Sequence, residues 1–164
     1  MPENIDKKNG EIVVIEDNLA IRNLYKDLLK GIFAEAPNCP EISTHGDGKK
    51  GFEAIEKTLK DNFALVITDF NLPGMNGEEI LNGIKKLKSK NPVRTICCSA
   101  LPENIDLINS NNLANKTFYK PFNFKEFINY VISAYEELKK EHIAKEAKRK
   151  RPNLKTLLLD NSNN

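Results

Sequence analysis

The segment Leu65-Val66-Ile67-Thr68-Asp69-Phe70-Asn71-Leu72-Pro73-Gly74-Met75-Asn76-Gly77 changes character three times in thirteen residues. Leu65–Thr68 is a short apolar, β-branched run of the kind that forms a strand buried on both faces of a sheet. Asp69 closes that run with a carboxylate. Pro73-Gly74 then reads as a turn, because Pro presets φ and Gly supplies the positive φ that other residues resist. Beyond the turn, Ile80, Leu81, Ile84 and Leu87 recur at helical spacing and make one apolar face. Buried strand, acidic strand end, turn and amphipathic helix together form one strand–helix unit.

Working outward, the unit repeats. Upstream, Ile12–Ile15 is a strongly apolar run, followed by Ile21, Leu24, Tyr25, Leu28, Leu29, Ile32 and Phe33 at helical spacing, with Asp17 or Asn18 placed to cap that helix. Glu41–Thr44 is a weaker run followed by the shorter face Phe52, Ile55, Leu59. Downstream come Val93–Cys98 with a short helix around Ile105 and Leu107–Ile108, then Thr117–Tyr119 with a long face from Phe124 through Phe127, Ile128, Val131, Ile132 and Tyr135 to Leu138. The weaker, more polar second and fifth runs suit sheet edges. Five such units predict an α/β doubly wound parallel sheet, with right-handed crossovers placing helices on both faces. Rossmann and flavodoxin-like windings both satisfy this spacing. In either, ligands collect outside the carboxyl ends of the strands.

Composition sets bounds on function. In 164 residues, Lys+Arg 25 against Asp+Glu 23 leave a net charge of +2, which as a total points to neither nucleic acid nor membrane. The amino terminus has no apolar signal core, and no stretch approaches the ~20 apolar residues of a membrane span, so a soluble cytoplasmic protein is expected. Cys39, Cys97 and Cys98 show no metal-binding spacing. Adjacent Cys97 and Cys98 should alternate faces of a strand, and all three are expected as small buried hydrophobes in a reduced compartment.

The residues that end the predicted strands are polar: Glu16-Asp17 after the first, Asp69 after the third, Ser99 after the fourth, Lys120-Pro121 after the fifth. Any one alone is unremarkable as a cap, turn or solvated charge. Together they converge on one cleft. Three carboxylates there repel, and a cation, a proton or a lysine must offset them. All-oxygen ligands suit Mg²⁺ (or Mn²⁺) better than zinc. Lys120 offers a compact charge suited to phosphate, Ser99 a rotatable hydroxyl, and Asp69 a carboxylate able to form an acyl phosphate.

Four separated stretches, Val13-Val14-Ile15-Glu16-Asp17-Asn18, Leu65 to Gly77, Cys98-Ser99-Ala100 and Tyr119-Lys120-Pro121-Phe122, resemble in order the motifs of bacterial response-regulator receiver domains. The resemblance spans roughly residues 10–138. It implies the flavodoxin-like (βα)5 winding with strand order 2-1-3-4-5. It implies Asp69 as phosphoacceptor, Glu16, Asp17, Asp69 and the backbone carbonyl of Asn71 as Mg²⁺ ligands, Ser99 as switch hydroxyl, Lys120 as phosphate-pairing lysine, and a cis Lys120–Pro121 bond. A sensor histidine kinase or histidine phosphotransfer protein would be the donor, a downstream protein the target, and the face of the fourth helix, fifth strand and fifth helix the surface that changes or dimerises. The domain would be a switch rather than an enzyme, catalysing only its own phosphotransfer and slow dephosphorylation. Two features depart from the family. Thr117 stands where an aromatic switch residue is usual, and Ala34 to Lys50 is longer than usual, assigned to an extended loop around the second strand.

The expected organisation is a flexible segment 1–9, a receiver domain 10–138 and a basic helical extension and tail 139–164, with too little chain after Lys120 for a DNA-binding output domain. Lys139 to Arg151 reads as a solvated, frayed helix or as a docking or dimerising arm, and Leu154 and Leu157–Leu159 could pack back on the domain. A haloacid-dehalogenase-type phosphatase would need an acid where Asn71 stands, and a flavin binder would need a phosphate cradle where Glu16-Asp17-Asn18 stands. The remaining alternative is a receiver-like interaction module that is never phosphorylated.

Overall fold

Burial of one strand organises the molecule. In the computed structural model, which describes residues 9–150, β1 (Glu11–Ile15) is flanked on both edges by other strands, and Ile12, Val13, Val14 and Ile15 are no more than 1% exposed. Removing such side chains from water contributes about 1.5–3 kcal/mol apiece. The chain continues through α1 (Leu19–Phe33), β2 (Glu41–His45), α2 (Gly48–Asp61), β3 (Ala64–Asp69), α3 (Gly77–Lys86), β4 (Val93–Ser99), α4 (Pro102–Ser110), β5 (Lys116–Tyr119) and α5 (Phe124–Lys150). All strand pairs are parallel, in the order β2-β1-β3-β4-β5. This is the flavodoxin-like winding, with the two weakly apolar strands at the edges.

Alternation along each strand sends neighbouring residues to opposite layers. Ile12, Val14, Leu65, Ile67 and Cys98 pack against Tyr25, Leu29 and Phe33 of α1 and Phe127, Val131 and Tyr135 of α5. Val13, Ile15 and Val66 pack against Ile55 and Leu59 of α2 and Ile80 and Ile84 of α3. Cys97 lies in a third cluster with Leu81 and Ile108, so the adjacent cysteines do face opposite layers. Cys39 departs from expectation: it is exposed, and its thiol donates to the carbonyls of Phe33 (2.9 Å) and Ala36 (3.3 Å) after α1.

Other expectations change in detail. The wide apolar face of α1 is not wholly covered: Tyr25, Leu29 and Phe33 are buried, while Ile21 and Leu24 are 37% and 53% exposed. Both line an open groove with Tyr25, Lys120, Phe122 and Phe124 at the carboxyl end of the sheet. Leu107, Phe124 and Ile132 are likewise exposed. The segment Ala34 to Lys50, read as an extended loop around the second strand, holds β2 as expected but also the start of α2, leaving 34–40 and 46–47 as loop. Asp47 makes this possible by capping α2, its carboxylate accepting from the Lys50 amide at 3.0 Å.

α5 runs unbroken through Leu138 to Lys150 and stays against the domain. His142 is buried, with its ring centroid 5.1 Å from that of Phe63, Arg94 pairs with Glu137 at 3.2 Å, and Arg149 donates to the Lys90 carbonyl at 2.8 Å. Phe63 and Lys90 precede β3 and β4, so the helix extension closes the amino end of the sheet rather than projecting from it as a frayed arm. Residues 1–8 and 151–164, including Leu154 and Leu157–Leu159, lie outside the described residues. Among the described residues no helix is long and apolar enough to cross a membrane.

Candidate functional site

Strand register assembles the site. Ile15 pairs with Thr68, so Glu16 and Asp69 follow on adjacent strands. Asp69 pairs with Cys98, and Ser99 with Tyr119, so Ser99 and Lys120 arrive from the other side. The turn beyond Asp69 adopts the expected conformation, with Gly74 at φ 80°. The Pro73 carbonyl accepts from the Gly48 amide at 2.9 Å, tying this turn to the start of α2. The Lys120–Pro121 peptide is cis, as the resemblance implied.

Carboxylate oxygens of Glu16, Asp17 and Asp69 lie within 4.8 Å of one another. Glu16 is buried, Asp69 half-buried and Asp17 exposed. Lys120 Nζ reaches into the cluster, 2.9 Å from Glu16 Oε2 and 3.2 Å from Asp69 Oδ1. The other oxygen of Glu16 accepts from the Asn18 amide at 3.2 Å, and the Asn18 side chain caps α1 by accepting from the amides of Ala20 and Ile21. Burial pushes the Asp69 carboxyl above the usual aspartate range, against the opposing pull of Lys120. For Lys120 burial acts to lower the pKa, but the hydrogen bond to Glu16 and the charge of Asp69 outweigh it, and the ammonium is held above the ordinary lysine value.

One ammonium against three carboxylates leaves an excess of two negative charges. At 4.8 Å each like-charge contact costs about 3.5 kcal/mol for an effective dielectric near 20. A hard divalent cation fits this donor set by charge and by chemistry: three carboxylates, with exposed Asp17 leaving room for retained water. Asn71 is exposed two residues beyond Asp69 in the connection to α3.

Ser99 is fully buried, but its hydroxyl faces the amino end of α4. Ser99 Oγ accepts from the Leu101 amide at 3.1 Å and from Asn104 Nδ2 at 3.0 Å, and among the described residues it bonds to neither Asp69 nor Lys120. Thr117, at the position expected to be aromatic, donates to Asn109 Oδ1 of α4 at 3.0 Å. Two further residues were not singled out from sequence. Arg22 donates to the backbone carbonyls of Glu16 (2.7 Å) and Asp17 (3.1 Å), bracing the acid pair from α1. Gly77 packs so closely that an added Cβ would stand 2.8 Å from the Asp69 carbonyl oxygen. The signal for Arg22 was in the sequence, since a residue one turn into α1 can reach back over the loop preceding it. Nothing local marks Asn104.

Comparison with known proteins gives the family and the fold. The family description "Response regulator receiver domain" matches residues 12–132. Among curated relatives, the transcriptional regulatory protein HprR of Escherichia coli K12 is 36% identical over 88 residues, 53% of this chain and 37% of that protein. The chemotaxis protein CheY-3 of Vibrio cholerae is 30% identical over 83 residues, 51% of this chain and 58% of that protein. The chain thus spans less than two thirds of the length of these relatives. A receiver domain from Clostridium thermocellum superposes with a TM-score of 0.63 at 22% identity, covering 78% of this chain and 95% of that one. A chain of a CheX-CheY-BeF3-Mg+2 complex from Borrelia burgdorferi gives 0.57 at 21% identity, covering 76% and 88%. With the three carboxylates and Lys120 brought together beyond the strand ends and the family match running through all five strands, the chain belongs to the response regulator receiver domain family.

Proposed function

We propose that this chain is a phosphorelay switch that accepts a phosphoryl group on Asp69 and thereby changes its affinity for a downstream protein. One observation carries the reading: Asp69 lies within 4.8 Å of Glu16 and Asp17 and is paired with Lys120 at 3.2 Å. In the transfer, an Asp69 carboxylate oxygen forms a bond to phosphorus as the phosphorus–nitrogen bond of a phosphohistidine breaks. The electron pair stays on the imidazole, which takes a proton from solvent. Lys120 stabilises charge on the transferring oxygens, and Ser99 supplies a hydroxyl donor to the product.

Glu16, Asp17, Asp69 and the Asn71 carbonyl would hold Mg²⁺ (or Mn²⁺), which when bound supplies charge neutralisation for an incoming phosphoryl group. Arg22 positions the acid pair by holding its carbonyls. The receiver unit is residues 10–138, with 139–164 as a basic helical extension and tail, of which 151–164 lie outside the described residues. The donor is a histidine kinase or histidine phosphotransfer protein in the cytoplasm. Exposed Ile21, Leu24 and Phe124 beside Lys120 give such a donor an apolar landing surface next to Asp69. The output surface is the face of α4, β5 and α5, which also serves any homodimer. No substrate is turned over beyond the chain's own acyl phosphate.

The test is incubation with acetyl phosphate and Mg²⁺ followed by intact-mass measurement. A gain of one phosphoryl group that disappears in Asp69→Asn and on chelation of the metal supports the reading. An unchanged mass, or a gain that survives Asp69→Asn, leaves the chain as an unphosphorylated interaction module.

A further inference from the structure

α4 is the least anchored helix that borders the site. Only Ile108 is fully buried, and its N-cap, Leu101, offers no side-chain cap. Two asparagine side chains fasten it to the sheet. Near its amino end Asn104 Nδ2 donates to Ser99 Oγ at the tip of β4, and at its carboxyl end Asn109 Oδ1 accepts from Thr117 of edge strand β5. The first contact takes a lone pair of the hydroxyl that the proposed phosphotransfer recruits. The second replaces, with a fixed polar contact, the freedom that an aromatic ring at 117 would have.

We propose that Asn104 is a positioning residue that latches the Ser99 hydroxyl to α4 in the unphosphorylated state, so that formation of the acyl phosphate competes directly with the anchorage of this helix. The proposal rests on the phosphoacceptor reading of Asp69. A serine oxygen carries two acceptor lone pairs and one proton. Both lone pairs are occupied, by the Leu101 amide and by Asn104, and both donors belong to the α4 entry. No hydrogen bond joins this hydroxyl to Asp69 or Lys120 among the described residues. The hydroxyl proton is engaged by neither contact; the two acceptances instead hold the oxygen against the α4 entry, so drawing it toward a phosphoryl oxygen on Asp69 pulls it away from Asn104 and leaves α4 held by Ile108 and Asn109. Asn104 is half-buried and helical, so truncation to Ala removes the donor without opening the core or lowering helix propensity.

The experiment is a double-mutant cycle on the full chain, reading the dissociation constant of beryllofluoride with Mg²⁺ by calorimetry for wild type, Asn104→Ala, Ser99→Ala and the double variant. Losing one neutral hydrogen bond that exists only in the free state should tighten binding about 3- to 10-fold in Asn104→Ala. In the Ser99→Ala background the same substitution should have no effect, because the contact is already gone. α4 amide resonances of Asn104→Ala should move partway toward their beryllofluoride-bound positions before any ligand is added. Equal effects of Asn104→Ala in both backgrounds, weaker binding by it with Ser99 intact, or unmoved α4 resonances would overturn the latch. A wild-type chain that binds no beryllofluoride removes the phosphoacceptor reading itself, and the latch with it. Asn104→Ser, which keeps a shorter donor, provides a second variant should the alanine form melt early, and intermediate tightening is expected.

Discussion

Replacing Lys120 with alanine removes the one cation shared by Glu16 and Asp69, and its cost can be worked from the geometry. Glu16 is 3% exposed and loses a partner at 2.9 Å, and Asp69, 14% exposed, loses one at 3.2 Å. Breaking a fully buried pair costs about 3–5 kcal/mol, because a charge is left without compensation. Lys120 is itself 22% exposed, so water reaches the site and recovers part of that. An expected loss of about 2–3 kcal/mol in metal-free buffer follows. Mg²⁺ should then change the ranking. Binding to the folded state alone adds RT ln(1 + [L]/Kd), about 2.7 kcal/mol at a hundredfold excess over Kd. With no ammonium competing for the Glu16 and Asp69 oxygens, the variant should gain more from the ion than wild type does. The assay is urea unfolding followed by far-ultraviolet circular dichroism, since the chain has no Trp. Measurements with chelator and with 10 mM MgCl2, a level set by the hundredfold-excess condition for a Kd of about 0.1 mM, separate the two effects. A Lys120→Ala chain as stable as wild type without metal, or one whose response to Mg²⁺ is no larger, would refute the claim that Lys120 and the ion answer the same excess charge.

Other substitutions probe the same site from different directions. Burial holds the Asp69 pKa above its unfolded value of 3.8, so folding favours the protonated form; that advantage is complete below the unfolded pKa and is lost as pH rises through the folded one. Asp69→Asn, neutral at every pH, should therefore be more stable than wild type at pH 7 in chelator, with the gap closing as the pH falls to about 4; a gap that is constant with pH contradicts this. Arg22→Ala frees the carbonyls of Glu16 and Asp17, and Mg²⁺ affinity measured by calorimetry should fall about tenfold, with little change in stability in chelator. Gly77→Ala sets a Cβ 2.8 Å from both the Asp69 carbonyl oxygen and Phe70 Cα, and backbone cannot yield as a side chain can. It should cost about 1–3 kcal/mol and slow acetyl phosphate labelling; wild-type rates with wild-type stability would show the contact to be slack.

Much of the fold was legible because burial writes itself into short apolar runs. Ile12–Ile15, Leu65–Thr68 and Val93–Cys98 are covered on both faces, and the weaker runs at Glu41 and Thr117 mark the edges. The strand-end residues were legible for a related reason: parallel register forces Glu16, Asp69, Ser99 and Lys120 to one edge once the strands are placed. Periodicity says less about which part of an apolar face is covered. Ile21 and Leu24 follow the same spacing as Leu29, yet they border an open groove. Charge counting told only part of the story for Lys139 to Arg151: most of 139–150 is exposed, as the basic run suggests. His142 and Arg149 nevertheless find Phe63 and the Lys90 carbonyl, contacts of long sequence separation that no local pattern announces. Asn104 was invisible for the same reason, since an amide on a short helix acquires meaning only when the hydroxyl beside it is located.

The most direct test is chemical trapping of the acyl phosphate. Borohydride reduction of chain treated with acetyl phosphate and Mg²⁺ converts a phosphorylated aspartate to homoserine, and peptide mass spectrometry then locates it. Homoserine is expected at position 69 alone, formed only with the metal present. Homoserine at another acidic residue, or none under conditions that label a known receiver in parallel, would contradict it.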